Sequence, residues 1–300
     1  MSYILRRVYL IKECSTTHLQ ECADIAFLRN NQPETNSAYC PTSKESILNE
    51  FTFLMGNPSC LVIGHFANNT LTGVLGCFTN PDNNWVDCLG PFFADEWCAN
   101  SAQEMFTYAK SKLPQAARFN FYFNTKNNNL HQLMSAISAT RNDNEYSLIL
   151  EKPNHIPQQL KHKVIAYTSA YENDIISLKN ETWPESYITD NDLLNSINKN
   201  REIFCALDNN GNFVGYGILK LYENTSHATA EVFAVKEEAR GKGYGWALLS
   251  TVVDNAFSRH NANTIDLVVD KLNTHARDLY YSCGFKLSVE NAAYNIAVSI

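Results

Sequence analysis

The chain has 300 residues, a formal net charge of -7 and 45% hydrophobic residues. That length suits two domains, and the apolar fraction excludes wholesale disorder. The acidic balance argues against non-specific nucleic-acid binding, which needs a basic surface, and no stretch approaches the ~18 consecutive apolar residues of a membrane span.

The opening MSYILRRVYLIKE is interrupted by Arg6, Arg7 and Lys12, so it reads as no signal peptide. The nine cysteines (14, 22, 40, 60, 77, 88, 98, 205 and 283) form no CxxC pair and are odd in number. Scattered thiols of this kind fit a reducing, cytoplasmic setting better than a disulfide framework or a zinc site. No metal is expected.

In chain order, CLVIGHF (60–66), LTGVLGCFT (71–79) and WVDCLGPFF (85–93) read as three strands. A helix follows at about 98–112, then the strand RFNFYFN (118–124), a helix near 128–138 and the strand YSLILE (146–151). The polar stretch EKPNHIPQQLKH (151–162), with two prolines, reads as a linker. After it come a strand at KVIAYTS (163–169) and short helices at 171–182 and 189–198 on either side of WPESY. Three β-rich runs follow, REIFCALD (201–208), FVGYGILKLY (213–222) and TAEVFAVK (229–236), the first two joined by a hairpin turn at Asn209, Asn210 and Gly211. A helix over 242–259 buries Ala247, Leu248, Leu249, Val252, Val253 and Phe257. The strand TIDLVVD (264–270), a helix over 273–283 and one or two closing strands in FKLSVENAAYNIAV complete the chain.

The two halves share this order. An offset of 146 residues lays FYFNTKNNNLHQLM (121–134) on LVVDKLNTHARDLY (267–280), with Asn127 on Asn273 and Leu133 on Leu279. This is a repeat of topology more than of sequence. The expected organisation is a first domain over 1–150, the linker over 151–162 and a second domain over 163–300, each a mixed α/β domain.

The chemistry concentrates at VKEEARGKGYGWALL (235–249). Three glycines at 241, 243 and 245 stand between a strand and a helix, although glycine weakens a helix interior by about 1 kcal/mol relative to alanine. A glycine-rich turn at that place lets unpaired backbone N–H groups and the helix dipole meet a phosphate. The spacing fits neither GxGxxG nor GxxxxGK followed by Ser or Thr. It has the form Arg-x-x-Gly-x-Gly over Arg240, Gly241, Lys242, Gly243, Tyr244 and Gly245.

That segment resembles the acetyl-CoA pyrophosphate loop of the GCN5-related N-acetyltransferase (GNAT) superfamily, which also has a hydrophobic residue where Val235 stands. A second stretch, NTHARDLYYSCGF (273–285), is similar to the family's NxxAxxLYxxxGF pattern at Asn273, Ala276, Leu279, Tyr280, Gly284 and Phe285. The resemblance covers about 163–300. It implies two tandem domains of the family's fold, mostly antiparallel sheets flanked by helices. It implies that the amides from Arg240 to Gly245 hold the pyrophosphate, that the Val235 N–H faces the thioester carbonyl, that Asn273 contacts the cofactor arm and that Tyr280 sits near the sulfur.

A direct attack of an amine on the thioester needs fixed N–H donors for the developing oxyanion, an acid for the leaving thiolate and an acceptor for the amine proton. Tyr280 is the expected acid. Period-two alternation places Thr229, Glu231, Phe233 and Val235 on one strand face, which makes Glu231 the candidate base; a structural salt bridge is the other reading of this residue. Cys283 reads as core, His227 and His275 as non-ligands, and Trp183, Glu185 and Tyr187 as belonging to the acceptor loop that the resemblance implies, with Trp183 alternatively a cap on the core. Under the 146-residue offset, Ala94, Asp95, Glu96, Trp97 and Ala99 fall on Arg240, Gly241, Lys242, Gly243 and Gly245, and Met134 falls on Tyr280. The first domain is therefore expected to keep the fold without the acetyl-CoA site.

The sequence thus points to a tandem acetyl-CoA-dependent N-acetyltransferase with one active site, a primary amine of a small molecule or peptide as acceptor, and a monomeric or homodimeric state. The alternatives are a non-catalytic acyl-CoA-binding or regulatory module, and an enzyme with another acceptor atom or a longer acyl donor.

Overall fold

The computed structural model describes residues 9–81, 83–157, 159–184, 189–197, 200–222 and 225–298. The first eight residues, with Arg6 and Arg7, lie outside these, as do Glu185, Tyr187 and the end of the helix expected over 189–198.

The first elements are β1 (Tyr9–Glu13), α1 (Leu19–Asn30), α2 (Lys44–Gly56), β2 (Leu61–Ala67), β3 (Thr70–Asn80), β4 (Trp85–Phe93), α3 (Ala99–Lys112), β5 (Arg118–Asn124), α4 (Asn128–Ala136) and the short β6 (Thr140–Arg141). Then come β7 (Glu145–Glu151), β8 (Lys163–Ala166), α5 (Glu172–Thr182), α6 (Asp190–Ser196), β9 (Arg201–Leu207), β10 (Phe213–Leu221), β11 (His227–Val235), α7 (Tyr244–Ser258), β12 (Thr264–Asp270), α8 (Thr274–Ser282) and β13 (Lys286–Ala297). β1, α1 and α2 precede the first strand anticipated in this half and complete the same order of elements as the second half.

The chain divides into two units, Met1–Glu145 with Glu290–Ile300, and Tyr146–Val289. This corrects the boundaries expected from the sequence. The strand YSLILE belongs to the second unit, where Leu148 and Leu150 join its core. The end of β13 belongs to the first unit, where Asn291–Ala297 pair antiparallel with β5 and Ala292 is buried in the core. Each sheet's closing strand therefore comes from the half of the sequence expected to form the other domain, a non-local pairing that no local pattern encodes.

The stretch read as a linker is also part of the second unit. His155 Nε2 lies 2.6 Å from Asp254 Oδ1 on α7 and the ring rests on Phe257, 5.3 Å between centroids. His162 reaches the loop that leads into the same helix, 2.8 Å from the Lys242 carbonyl.

In the first unit the sheet runs β1-β2-β3-β4-β5-β13, with β6 beside β13. In the second it runs β7-β12-β11-β10-β9-β8. The pairs β1–β2, β2–β3, β3–β4, β5–β13, β8–β9, β9–β10 and β10–β11 are antiparallel, whereas β4–β5 and β11–β12 are parallel. Both units follow one plan. Helices α3 and α4 cover one face of the first sheet through Met105, Phe106, Leu130 and Leu133, and α1 and α2 cover the other through Ile25, Ile47, Phe51 and Leu54. In the second unit α7 packs Leu248, Leu249, Val252 and Val253 on Ile265 and Leu267. On the opposite face, α5 and α6 bring Ile175, Leu178 and Leu193 against Ile203, Tyr216 and Ile218. All six α7 side chains expected in the core are buried.

The asparagines that aligned across the repeat share a structural cause. Asn127 and Asn273 are the N-caps of α4 and α8, and their side chains accept from the N–H groups of Leu130 and Ala276. An N-cap of this kind contributes about 1 kcal/mol. The hairpin between β9 and β10 turns at Gly211, whose φ of +85 suits glycine, and its N–H donates to the Asp208 carbonyl at 3.0 Å.

Candidate active site

Parallel strands β11 and β12 pair only at His227–Thr229 against Thr264–Asp266. Both run on without pairing to each other, to Val235 and Asp270, which opens a wedge in the sheet. Antiparallel pairing with β10 continues on the other side of β11, ending with Lys236 N–H donating to the Val214 carbonyl at 2.8 Å. Backbone donors alternate along a strand, so the Val235 N–H faces the wedge. The Val235 carbonyl accepts from Arg240 Nε at 3.1 Å, and that bond folds the loop back onto the strand end.

The loop then turns through Gly241 at φ +74 and Gly243 at φ +92. Left-handed backbone costs an L-residue roughly 1–2 kcal/mol, which accounts for two of the three glycines. A Cβ on Gly241 would meet nothing within 4 Å, so the loop is open on that side. Gly245 has ordinary φ, and a Cβ there would meet Leu279 and Val235 only at van der Waals distance. The helix read over 242–259 starts at Tyr244, with Gly243 as an N-cap that offers no side-chain bond. The first helical bond beyond the cap is Ala247 N–H to the Gly243 carbonyl, 3.1 Å. The amides of Gly243, Tyr244, Gly245 and Trp246 therefore have no backbone acceptor among the described residues, as is usual for a helix N-terminus.

Tyr280 stands on α8 between Phe233 and Phe285, with ring centroids at 6.5 and 6.2 Å. Burial pushes its phenol up to about 12, so it holds its proton throughout the physiological range. Tyr281, its neighbour on the helix, is exposed. Cys283 is half-buried against the α7 core and burial raises its thiol. That suits the packing role expected of it.

The face assignment of β11 needs correction. Ile218 lies opposite Val232 and Leu219 opposite Ala230, so Glu231 is the extra residue of a β-bulge. The bulge reverses the alternation. Ala228 and Ala230 share the α7 face with Phe233 and Val235, whereas Val232 and Ala234 face α5 and α6. Thr229 is thus on the face opposite Val235. Its hydroxyl donates to Asp266 Oδ1 at 2.6 Å.

The Glu231 carboxylate takes a two-point bond from Arg201, Nε to Oε2 at 2.5 Å and Nη2 to Oε1 at 2.8 Å, with Lys220 Nζ 3.5 Å from Oε1. Its side chain is only 4% exposed. Removing one partner of a buried ion pair strands the other and typically costs 3–5 kcal/mol. Glu231→Ala is therefore expected to lower unfolding stability by about 3 kcal/mol, read by urea denaturation; an unchanged midpoint would show the cluster to be structurally idle.

The other sequence candidates fall apart from this centre. Trp183 is 38% exposed at the end of α5, so it does not cap the core. His227 contacts Thr264 and Asp266 at 3.0 and 3.2 Å, and His275 is exposed. Among the described residues no group of three His, Cys, Asp or Glu side chains is placed to hold a metal. His162 was missed by sequence reasoning: nothing local joins it to Lys242, 80 positions away.

The first unit keeps the wedge but not the loop. β4 and β5 pair only at Trp85–Asp87 against Arg118–Asn120, and a cavity of about 450 Å3 is lined by Arg29, Thr35, Phe93, Trp97 and Asn127. Strand β4 and α3 are joined by residues 94–98, whereas 236–243 join β11 and α7. The 146-residue offset holds for α4 on α8 and for β5 on β12, but the parallel pairing sets Trp85 level with His227, an offset of 142. Asp95, Glu96 and Trp97 are thus what remains of a shortened loop, not replacements for the glycines one by one. The Arg29 guanidinium gathers the carbonyls of Phe93, Ala94 and Asp95 at 2.7, 2.5 and 2.9 Å.

Comparison with known proteins agrees with this geometry. Residues 167–285 match the model of the acetyltransferase (GNAT) family. The match lies within the second unit and is a likeness of that part of the chain to the GNAT family. It is 36% identical over 83 residues to an uncharacterized N-acetyltransferase of Methanocaldococcus jannaschii, a match spanning 28% of this chain and 52% of that protein. The chain therefore spans about half the length of that relative. Among solved structures, a GCN5-related N-acetyltransferase from Sphaerobacter thermophilus superposes with a TM-score of 0.78 at 12% identity, covering 97% of both chains. A tandem GNAT protein from the clavulanic acid biosynthesis pathway gives 0.72 at 12% identity over 98% of this chain and 99% of that one. At such identities the likeness concerns the fold, and it extends over both units of the chain.

Proposed function

We propose that this protein is a GNAT-type, acetyl-CoA-dependent N-acetyltransferase with one working site, in its second unit, and that its acceptor is a primary amine of a small molecule or peptide. The observation that carries this reading is the wedge itself: a strand-end N–H, an open glycine loop on an uncapped helix and a proton-holding tyrosine converge on it. The residues fit acetyl-CoA by their chemistry. Among the described residues the amides around Gly243 have no backbone acceptor, and the loop's open side at Gly241 leaves room for phosphate oxygens.

Acetyl-CoA supplies the acetyl thioester. The amine nitrogen forms a bond to the acetyl carbon as the carbon–sulfur bond breaks. The Val235 N–H stabilises the negative charge that develops on the carbonyl oxygen, at no cost in reorganisation because β11 is held by β10. Tyr280 gives its proton to the leaving sulfur. The amine proton passes to water or to Glu231 and returns to the tyrosine, so the protons balance. Glu231 accepts that proton only if an oxygen is freed from Arg201 and Lys220, and Lys220 at 3.5 Å is the looser of the two.

Following free thiol while the protein is mixed with acetyl-CoA and a panel of primary amines tests the proposal. Amine-dependent thiol release is the expected result. Tight acetyl-CoA binding with no turnover on any amine would instead favour a non-catalytic acyl-CoA-binding module.

A further inference from the structure

The geometry points to His162 as a positioning residue that fixes the Lys242–Gly243 peptide for pyrophosphate binding; this rests on the reading of 240–245 as the cofactor loop. Three contacts define it. His162 Nε2 donates to the Lys242 carbonyl at 2.8 Å. Its ring lies on Tyr244, with centroids 4.1 Å apart at 39°. A Cβ on Gly243 would stand 3.2 Å from His162 Nε2, so the ring closes directly over the peptide it holds.

The consequence follows from peptide geometry. A trans peptide is planar, and its C=O and N–H point in opposite directions. Drawing the Lys242 carbonyl toward His162 therefore turns the Gly243 N–H away from it, outward with the other free amides at the start of α7. Glycine at 243 makes this orientation easy to lose, because glycine adopts either sign of φ with little penalty. A flip of this one peptide would present a carbonyl oxygen to the phosphates in place of a donor. The histidine can hold the peptide because its own segment is anchored: the chain is fixed upstream by His155 on Asp254 at 2.6 Å and enters β8 directly after His162.

Calorimetric titration of the full chain with two probes tests this. Acetyl-CoA carries the pyrophosphate; S-acetylpantetheine lacks it. His162→Ala is expected to raise the Kd for acetyl-CoA about tenfold, the scale of one lost hydrogen bond and one ring contact, and to leave S-acetylpantetheine unchanged. His162→Gln, which keeps a side-chain N–H donor, is expected to recover most of the affinity. His162→Phe, which keeps only the ring, is not. Wild-type affinity for acetyl-CoA in His162→Ala would overturn the role, as would equal losses for both probes or no recovery in His162→Gln. Wild-type protein that binds no acetyl-CoA would instead defeat the reading of the loop on which the role depends.

Discussion

Gly243→Asp is expected to abolish acetyl-CoA binding, raising Kd by at least about 100-fold. Three effects add at this position. The residue sits at φ +92, where a side chain costs roughly 1–2 kcal/mol. A Cβ there would crowd His162 at 3.2 Å. The carboxylate would also be held at a helix N-terminus that otherwise offers its amides to phosphate, satisfying those donors itself and repelling the ligand. About 2.7 kcal/mol corresponds to a hundredfold change in Kd, and the three terms together exceed it. Trp97→Ala, in the shortened loop of the first unit, is expected to leave acetyl-CoA affinity within twofold, because residues 94–98 lack the glycine turn and the carbonyls of Ala94 and Asp95 are taken by Arg29. Equal sensitivity of the two variants, read by calorimetry, would contradict a single cofactor site in the second unit.

Tyr280→Phe is expected to lower kcat by about 100-fold or more, within the usual range for general acid catalysis. The KM for acetyl-CoA should change little, since the ring contacts with Phe233 and Phe285 survive the substitution. The pH profile gives an independent check. Burial lifts the phenol to about 12. Because the acid form is the one needed, activity that depends on Tyr280 is present below that value and is lost only as pH rises through it. Any alkaline decline of kcat below about pH 11 therefore belongs to another group and should persist in Tyr280→Phe at the lower rate. An unchanged kcat, assayed with the best amine acceptor, would remove Tyr280 from the mechanism.

The legible part of the molecule is the part whose residues announce local geometry. Gly241 and Gly243 are glycines because the backbone is left-handed there, and Asn127 and Asn273 are asparagines because they cap helices. The anticipated strands and helices from residue 60 onward match observed elements for the same reason: their caps, turns and periodicity are local.

Several features escaped because no clear local pattern marks them. Helix α1, LQECADIAFLRN, buries Cys22, Ala23, Ile25 and Ala26, a mostly small set that leaves little amphipathic contrast to read. The bulge at Glu231 inserts a residue without changing composition, so strict alternation placed Glu231 and Val235 together. The exchange of closing strands depends on which strand lies alongside, and Asn291–Ala297 pair with β5 far earlier in the chain. His162 meets Lys242 only because its segment folds back along α7. At the candidate site, the glycine loop and Tyr280 were visible as motifs. A structural salt bridge was one reading of Glu231, and the structure bears it out, but its partners Arg201 and Lys220 and the histidine under the loop were not legible, since each depends on contacts across separate strands or segments.

Hydrogen exchange of the full chain with and without saturating acetyl-CoA tests the central claim most directly. Binding on the proposed loop predicts slowed exchange of the amides from Gly241 to Trp246 and of Val235, with residues 94–98 unchanged. Protection in 94–98, or an unprotected 241–246 segment in a chain saturated with acetyl-CoA, would contradict it.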